Sequence, residues 1–306
     1  MKLSVAGINK RFGEKHVLKD VSFNVESGLA LGLLGRNGAG KTTTLRIVTD
    51  IFRADSGEIT IDGVPMKDAK VRVGYLPEER GLYPKSAVGE QMVYIGKLKG
   101  LSSAQAKKNA HGLLEKLEAE EYWQKKLETL SKGNQQKIQL AIAVLDDPDV
   151  IILDEPFSGL DPVNASMLKK LIVEQVEKNK LVMFSSHQMP YVEEFCQHIC
   201  IINKGSIVLD GNIAEIKRTY NREKISVRPE GPKENFTGRL KANAKFIEIS
   251  NNLTEKGDSV IITLKDASKK HSLLEIFTEE KLQFDMFNVV EPTLEEIFVE
   301  KAGDAV

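Results

Sequence analysis

Gly35-Arg36-Asn37-Gly38-Ala39-Gly40-Lys41-Thr42 is the stretch on which the reading of this chain turns. Before it, Leu29 to Leu34 is a nearly unbroken apolar run, the pattern of a parallel strand buried on both faces. After it, Thr42-Thr43-Thr44-Leu45-Arg46-Ile47-Val48 reads as the start of a helix. Gly35, Gly38 and Gly40 permit positive φ and a close approach to an anion, so successive N–H groups and the helix N-terminus point at phosphates. In that frame Lys41 bridges the β- and γ-phosphates of a nucleotide, and the Thr42 hydroxyl ligates Mg²⁺.

Strand and helix patterns alternate outward from this loop. Val21, Phe23 and Val25 alternate with polar residues, and Ile59 and Ile61 do so before the Asp62-Gly63 turn, which predicts an antiparallel, half-exposed N-terminal part. Ser86 to about Glu128 reads as helical, with Val88, Val93 and Leu98 on one side and Ser102 with Gln105 as a capping box. Ile138, Ala141, Ile142 and Leu145 follow the i, i+3, i+4, i+7 spacing of an amphipathic helix that begins directly after Leu130-Ser131-Lys132-Gly133. Val150-Ile151-Ile152-Leu153 and Leu181-Val182-Met183-Phe184 flank a helix around Met167 to Val176, which is the grammar of a parallel sheet.

The first of those two runs ends in Asp154-Glu155, two carboxylates at the C-terminal edge of a sheet, where ligands bind in open α/β folds. Asp154 is suited to hold Mg²⁺, directly or through water, and Glu155 to orient and polarise an attacking water. His187, at the end of the second run, occupies the equivalent edge and is suited to donate to a γ-phosphate.

Composition narrows the classes. The chain has 306 residues, enough for a nucleotide-binding fold and a smaller domain behind it. A net charge of −1 gives no basic footprint, and no nucleic acid is expected as a partner. No apolar run approaches the ~20 residues needed to cross a bilayer, and Met1-Lys2-Leu3-Ser4 lacks the apolar core of a signal peptide. A cytosolic chain is expected. Cys196 and Cys200 suit a reducing compartment. They flank His198, but no further Cys/His cluster completes a metal set, so they read as buried packing thiols.

Taken together, these residues resemble the ATP-binding subunit of ABC transporters over roughly residues 2 to 215. Gly35 to Thr42 looks like Walker A, and Val150 to Glu155 like Walker B with its catalytic glutamate. Ser158-Gly159-Leu160-Asp161 looks like the D-loop, His187 like the switch histidine, and Phe12 like the aromatic that stacks on adenine. Leu130-Ser131-Lys132-Gly133-Asn134 resembles the signature motif, which separates this family from kinases and GTPases. The resemblance implies a P-loop α/β ATPase with a mixed sheet, an antiparallel N-terminal β subdomain, an inserted helical subdomain and a small C-terminal α+β domain. It implies Arg36, Asn37, Ala39 and Thr43 as further contacts to ATP, with ATP and Mg²⁺ as cofactors.

In such proteins ATP on one subunit's Walker A is capped by the other's signature motif, so Ser131 and the Gly133 amide are expected to reach the γ-phosphate in trans. The expected partners are a second copy or a different ABC ATPase, and a membrane-spanning permease that keeps the chain at the inner face of the cell membrane. Two departures stand out. Glu78 replaces a common glutamine and keeps an oxygen for Mg²⁺ or water, while Lys132 and Asn134 replace the usual glycine and glutamine of the signature.

Behind the ATPase part, Tyr220 to Pro232 reads as a linker or an irregular first strand. Ser259 to Leu264 and Phe284 to Phe287 look like strands, with Ser268 to Thr278 helical between them. Glu291 to Glu300 resembles the tail of ATPase subunits of drug- and sodium-exporter types. The expected domains are residues 1–218, with the helical subdomain at about 82–146, and residues 219–306. A soluble ABC-class ATPase acting on nucleic acid or the ribosome is the competing class. It usually carries a long coiled-coil insertion or two cassettes, and this sequence has neither. The third class is a non-transporting regulatory ATPase.

Overall fold

The first two strands, β1 (Lys2–Phe12) and β2 (Lys15–Glu26), pair antiparallel with Leu3 opposite Val25 and Val5 opposite Phe23. Strict alternation puts these four side chains on one buried face and leaves the polar ones outside. The computed structural model describes residues 1–303 other than Arg80 and Asn221; Asn221, within the stretch read as a linker, and residues 304–306, within the expected C-terminal domain, lie outside it. Contacts divide the chain into two units, Met1–Ile213 together with the chain from Phe298 on, and Ala214–Ile297.

The first unit continues through β3 (Ala30–Leu34), α1 (Lys41–Val48), β4 (Ser56–Ile61), β5 (Val64–Pro65) and β6 (Val73–Leu76). Next come α2 (Val88–Leu98), α3 (Ser103–Lys116), α4 (Lys132–Ala143), β7 (Val150–Asp154), α5 (Pro162–Glu177), β8 (Leu181–Ser186) and α6 (Met189–Phe195). The hairpin β9 (His198–Asn203) and β10 (Ser206–Asn212) completes it. One antiparallel sheet has the order β2-β1-β4-β5; a second, six-stranded sheet has the order β10-β9-β3-β8-β7-β6, with β10 antiparallel at its edge and the remaining pairs parallel. Every residue of β3, β7 and β8 is buried, which explains runs with no polar alternation. Because β8 lies between β3 and β7, the loops after these three strands open side by side.

The helical insertion differs from the sequence reading in one face. Leu98 is 69 % exposed and Val93 only half-buried; α2 packs through Val88, Met92 and Gly96. Val88, Val93 and Leu98 are five apart, so they drift around the helix, whereas Val88, Met92 and Gly96 recur at i+4. At Gly96 an added Cβ would sit 2.7 Å from the Ala106 Cβ, so the missing side chain sets how closely α3 approaches. Ser102 and Gln105 do form the capping box of α3. Helix α4 is not amphipathic as read: Gln136, Lys137 and Gln139 are buried along with its apolar residues.

The second unit begins within α7 (Ile213–Thr219) and contains β11 (Lys224–Pro229), α8 (Lys233–Ala242), α9 (Ala244–Ile249), β12 (Ser250–Lys256), β13 (Ser259–Leu264), α10 (Lys270–Glu279) and β14 (Phe284–Val289). The last element among the described residues is α11 (Leu294–Ala302). The second unit's antiparallel sheet, in the order β12-β13-β11-β14, is a split βαβ arrangement. Ile225, Val227, Val260 and Ile262 pack with Phe236, Leu240, Leu273 and Phe277 in one core. Strand β11 is central, with a register shift between Arg228 and Pro229 where it pairs with β14, so the linker reading of Tyr220 to Pro232 gives way to the irregular-strand alternative. Pro229 is tolerated because it closes the strand's paired register.

Candidate functional site

Glycine is required at the tip of β3. Gly40 caps α1 at φ +116°, and a Cβ there would lie 2.6 Å from Leu18 Cδ2; Gly38, at φ +78°, has open space but a backbone that L side chains rarely adopt. The N-terminal amides of α1 are thereby left facing the same space as Lys41. Lys41 Nζ donates to the Gly35 carbonyl at 2.8 Å and lies 3.3 Å from Glu155 Oε1.

The end of β7 supplies the carboxylates. Asp154 Oδ1 accepts from Ser185 Oγ at 2.5 Å, while Oδ2 is buried with no protein partner among the described residues. Burial pushes the Asp154 carboxyl above its ordinary value; the Ser185 and Thr42 hydroxyls partly offset this, and Glu155 adds to it. A desolvated, half-partnered carboxylate beside a threonine hydroxyl is a hard oxygen donor set that fits Mg²⁺.

Glu155 turns the chain at φ +51°, a conformation uncommon for glutamate, and its backbone N–H donates to Ser185 Oγ at 3.0 Å. One carboxylate oxygen faces Lys41; the other lies 2.8 Å from His187 Nδ1. Under this turn Phe157 stacks on Tyr191 at 4.8 Å and meets Phe184 and Phe195 edge-on, contacts worth about 0.5–1.5 kcal/mol each beyond burial. That apolar seat holds the loop where Glu155 can reach both Lys41 and His187. Ser185, which bonds both carboxylate residues, is a site member the sequence reading passed over; its signal was a hydroxyl ending an otherwise apolar strand.

A cavity of about 420 Å³ takes in part of this group: Phe12, Arg36, Asn37, Gly38, Gly40, Lys41, Thr42, Thr43, Glu78 and Glu155 line it, together with Lys15 and Val17, whereas Asp154, Ser185 and His187 are not among its lining residues. Gly35 contributes its carbonyl to Lys41, and Ala39 is buried behind the loop. Ser131, Lys132, Gly133, Asn134 and Asp161 are not among these lining residues. Ser131 caps α4 by accepting from the Asn134 N–H at 3.3 Å, and the Asn134 amide donates to the Tyr122 hydroxyl at 2.8 Å. Asp161 caps α5 and holds the Asn164 amide at 2.5 Å; a Cβ on Gly133 would meet that amide nitrogen at 3.0 Å. The two loops therefore touch within one chain, outside the cavity.

Cys196 and Cys200 are free and buried on different elements, with burial raising both thiols far above their usual range. Cys200 Sγ donates to Asp210 Oδ1, which also lies 2.7 Å from His198 Nε2.

A phosphate loop after a central strand, with two carboxylates and a histidine on the neighbouring strand ends, defines a P-loop ATPase fold. The ABC transporter family profile matches residues 18–158, and that of the C-terminal domain of DrrA1-3-like ATP-binding proteins matches residues 211–302. The chain is 37 % identical over 309 residues to the "Uncharacterized ABC transporter ATP-binding protein YhaQ" of Bacillus subtilis (strain 168), covering 98 % of each chain. It is 31 % identical to the linearmycin resistance ATP-binding protein LnrL of the same organism, again over 98 % of each. A solved ATP-binding subunit of an ABC transporter superposes with a TM-score of 0.66 at 30 % identity, covering 72 % of this chain and 93 % of that one. The chain belongs to the ATP-binding proteins of the ABC transporter family. No helix among its described residues is long and apolar enough to cross a membrane.

Proposed function

We propose that this chain is the ATP-hydrolysing subunit of an exporter, working as a pair around two ATP molecules and driving a separate membrane-spanning permease. The observation that carries the reading is the line Lys41, Glu155, His187 at the mouth of a phosphate loop, its first two members buried and the histidine half exposed. On ATP entry Lys41 leaves Glu155 for the β- and γ-phosphates, beside the amides of residues 36–43. Phe12 stacks on the adenine. Glu155, freed from the lysine, takes a proton from the attacking water, and His187 donates to the γ-phosphate. Thr42 and Asp154 hold Mg²⁺, which neutralises charge developing on the phosphates, and Glu78 offers a further oxygen to the cation or its water.

A helix N-terminus favours an anion, so Ser131 and the Gly133 amide of one copy, flanked by Lys132 and Asn134, suit the γ-phosphate held by another, and Asp161 keeps that signature in place. Loss of the γ-phosphate removes the shared contacts and the pair opens. Export is favoured by the relatives: LnrL is a resistance protein by name, and a Nod factor export ATP-binding protein of Burkholderia lata is 34 % identical over 248 residues. The pairing is with a second copy or with another ABC ATPase.

Affinity purification of the tagged chain from detergent-solubilised native membranes tests the assignment. Recovery of a multi-span protein in fixed ratio is expected. Recovery of ribosomal or DNA-repair proteins with no membrane partner would overturn it.

A further inference from the structure

Parallel pairing sets Tyr75 of β6 beside Ile152 of β7, and period-two alternation puts Asp154 on the same face. Tyr75 packs on the core that includes Ile152, Ile47 and Val48, so α1 covers this face and brings Thr42 and Arg46 to it. In this layer the Tyr75 hydroxyl and Asp154 Oδ2 are buried with no protein atom in hydrogen-bonding geometry among the described residues, although the Arg46 side chain stands close to the first and the Thr42 hydroxyl close to the Asp154 carboxylate. Burial and the Asp154 carboxylate push the hydroxyl upward, Arg46 pulls it down, and Glu78 adds to the rise, so the group sits within electrostatic reach of two site carboxylates. A phenylalanine would fill the same space without an unmatched hydroxyl. Two buried, unmatched oxygens on one face call for a polar group between them.

We propose that Tyr75 is a positioning residue for the cation site: its hydroxyl bonds a water of the cation's shell beside Asp154 Oδ2, fixing the carboxylate without touching nucleotide. This rests on Thr42 and Asp154 holding the cation. Mg²⁺ retains several waters, and groups that hold such outer partners commonly matter tenfold or more in metal affinity.

The test is the Mg²⁺ concentration that gives half of the thermal stabilisation by a non-hydrolysable ATP analogue, measured on the full chain and its Tyr75→Phe and Asp154→Asn variants. For Tyr75→Phe the expected result is a Tm without nucleotide at or above wild type, with the half-effective Mg²⁺ concentration raised about tenfold. An unchanged Mg²⁺ requirement overturns the proposal while leaving the cation site intact, provided Asp154→Asn abolishes the response. If Asp154→Asn leaves the response untouched, the underlying cation site is wrong and the proposal falls with it. A Tyr75→Phe chain that fails to fold also overturns it, because the hydroxyl would then have a structural partner in the bare protein.

Discussion

Glu155 and Lys41 are ion-paired inside the nucleotide cavity, Oε1 to Nζ 3.3 Å, with each side chain 7 % exposed. A pair so buried gains Coulomb energy but loses hydration, and removing one partner hurts more than the pair helps. In the mechanism proposed above, the triphosphate and the glutamate compete for one ammonium group, and winning that competition releases the carboxylate to act as a base.

Glu155→Gln should therefore keep ATP binding, since a neutral amide competes less for Lys41, while turnover falls by roughly 10²–10⁴-fold, the range for loss of a positioned base. ATP should also trap the closed pair, visible as a dimer in size-exclusion chromatography. Turnover near wild type would remove Glu155 from the mechanism.

Lys41→Ala acts on both partners of that competition. Nucleotide titration should show much weaker ATP binding. The bare protein should also lose roughly 3 kcal/mol in urea unfolding, the low end for breaking a buried pair, because His187 still faces the stranded carboxylate. An unfolding midpoint equal to wild type would mean that the Lys41–Glu155 contact is not maintained in solution.

Asp154 links pH to stability. Its carboxyl is raised above 3.8, mainly by burial, so the folded chain takes up this proton at a higher pH than the unfolded chain does. At neutral pH the charged form is thus a stability deficit. That deficit shrinks as pH falls through the raised folded value and is gone below 3.8. Without Mg²⁺, Asp154→Asn should melt higher than wild type at pH 7, and the gap should close on acidification. A gap that widens as pH falls would reverse the sign of the shift.

What was legible in the sequence was chemistry confined to one loop. Gly38 and Gly40 need positive φ, Lys41 follows them, and the apolar runs before Gly35 and Asp154 can only be buried strands, so the loop, the sheet and their shared edge followed. Contacts made across elements were not legible. Nothing in the sequence says that the Ser185 hydroxyl would reach both Asp154 and Glu155, or that Asn164 would stand over Gly133. The C-terminal unit was the least readable. Strand β12 carries Leu253 as its only aliphatic residue, being an edge strand, and Pro229 argued against a strand that proves central.

Phe12 is 46 % exposed at the cavity rim and meets Phe52 edge-on at 5.6 Å, so the ring is braced while one side stays available. Phe12→Ala should weaken ATP binding by about 1–3 kcal/mol, and Phe12→Trp should largely preserve it. Because every base offers a π-face, GTP should lose a similar amount, which competition binding would measure. An ATP-only loss would replace stacking with base-edge recognition.

Ser131 gives the sharpest test of the paired site. Its hydroxyl accepts from the Asn134 N–H at a long 3.3 Å, so as a cap it is weak, and Ser131→Ala should cost only about 0.5–1 kcal/mol of stability. A much larger loss of turnover would then come from the phosphate of another copy. Co-expression of Ser131→Ala with Lys41→Ala separates the two roles. Each variant alone forms dimers with two broken sites, but a mixed dimer joins the intact phosphate loop of the first chain to the intact signature of the second. With statistical pairing, half of the dimers carry one good site, so turnover should recover to about a quarter of wild type if the sites act independently. Activity no higher than that of either parent, in dimers shown by mass spectrometry to contain both chains, would place Ser131 and Lys41 in the same site and sink the head-to-tail arrangement.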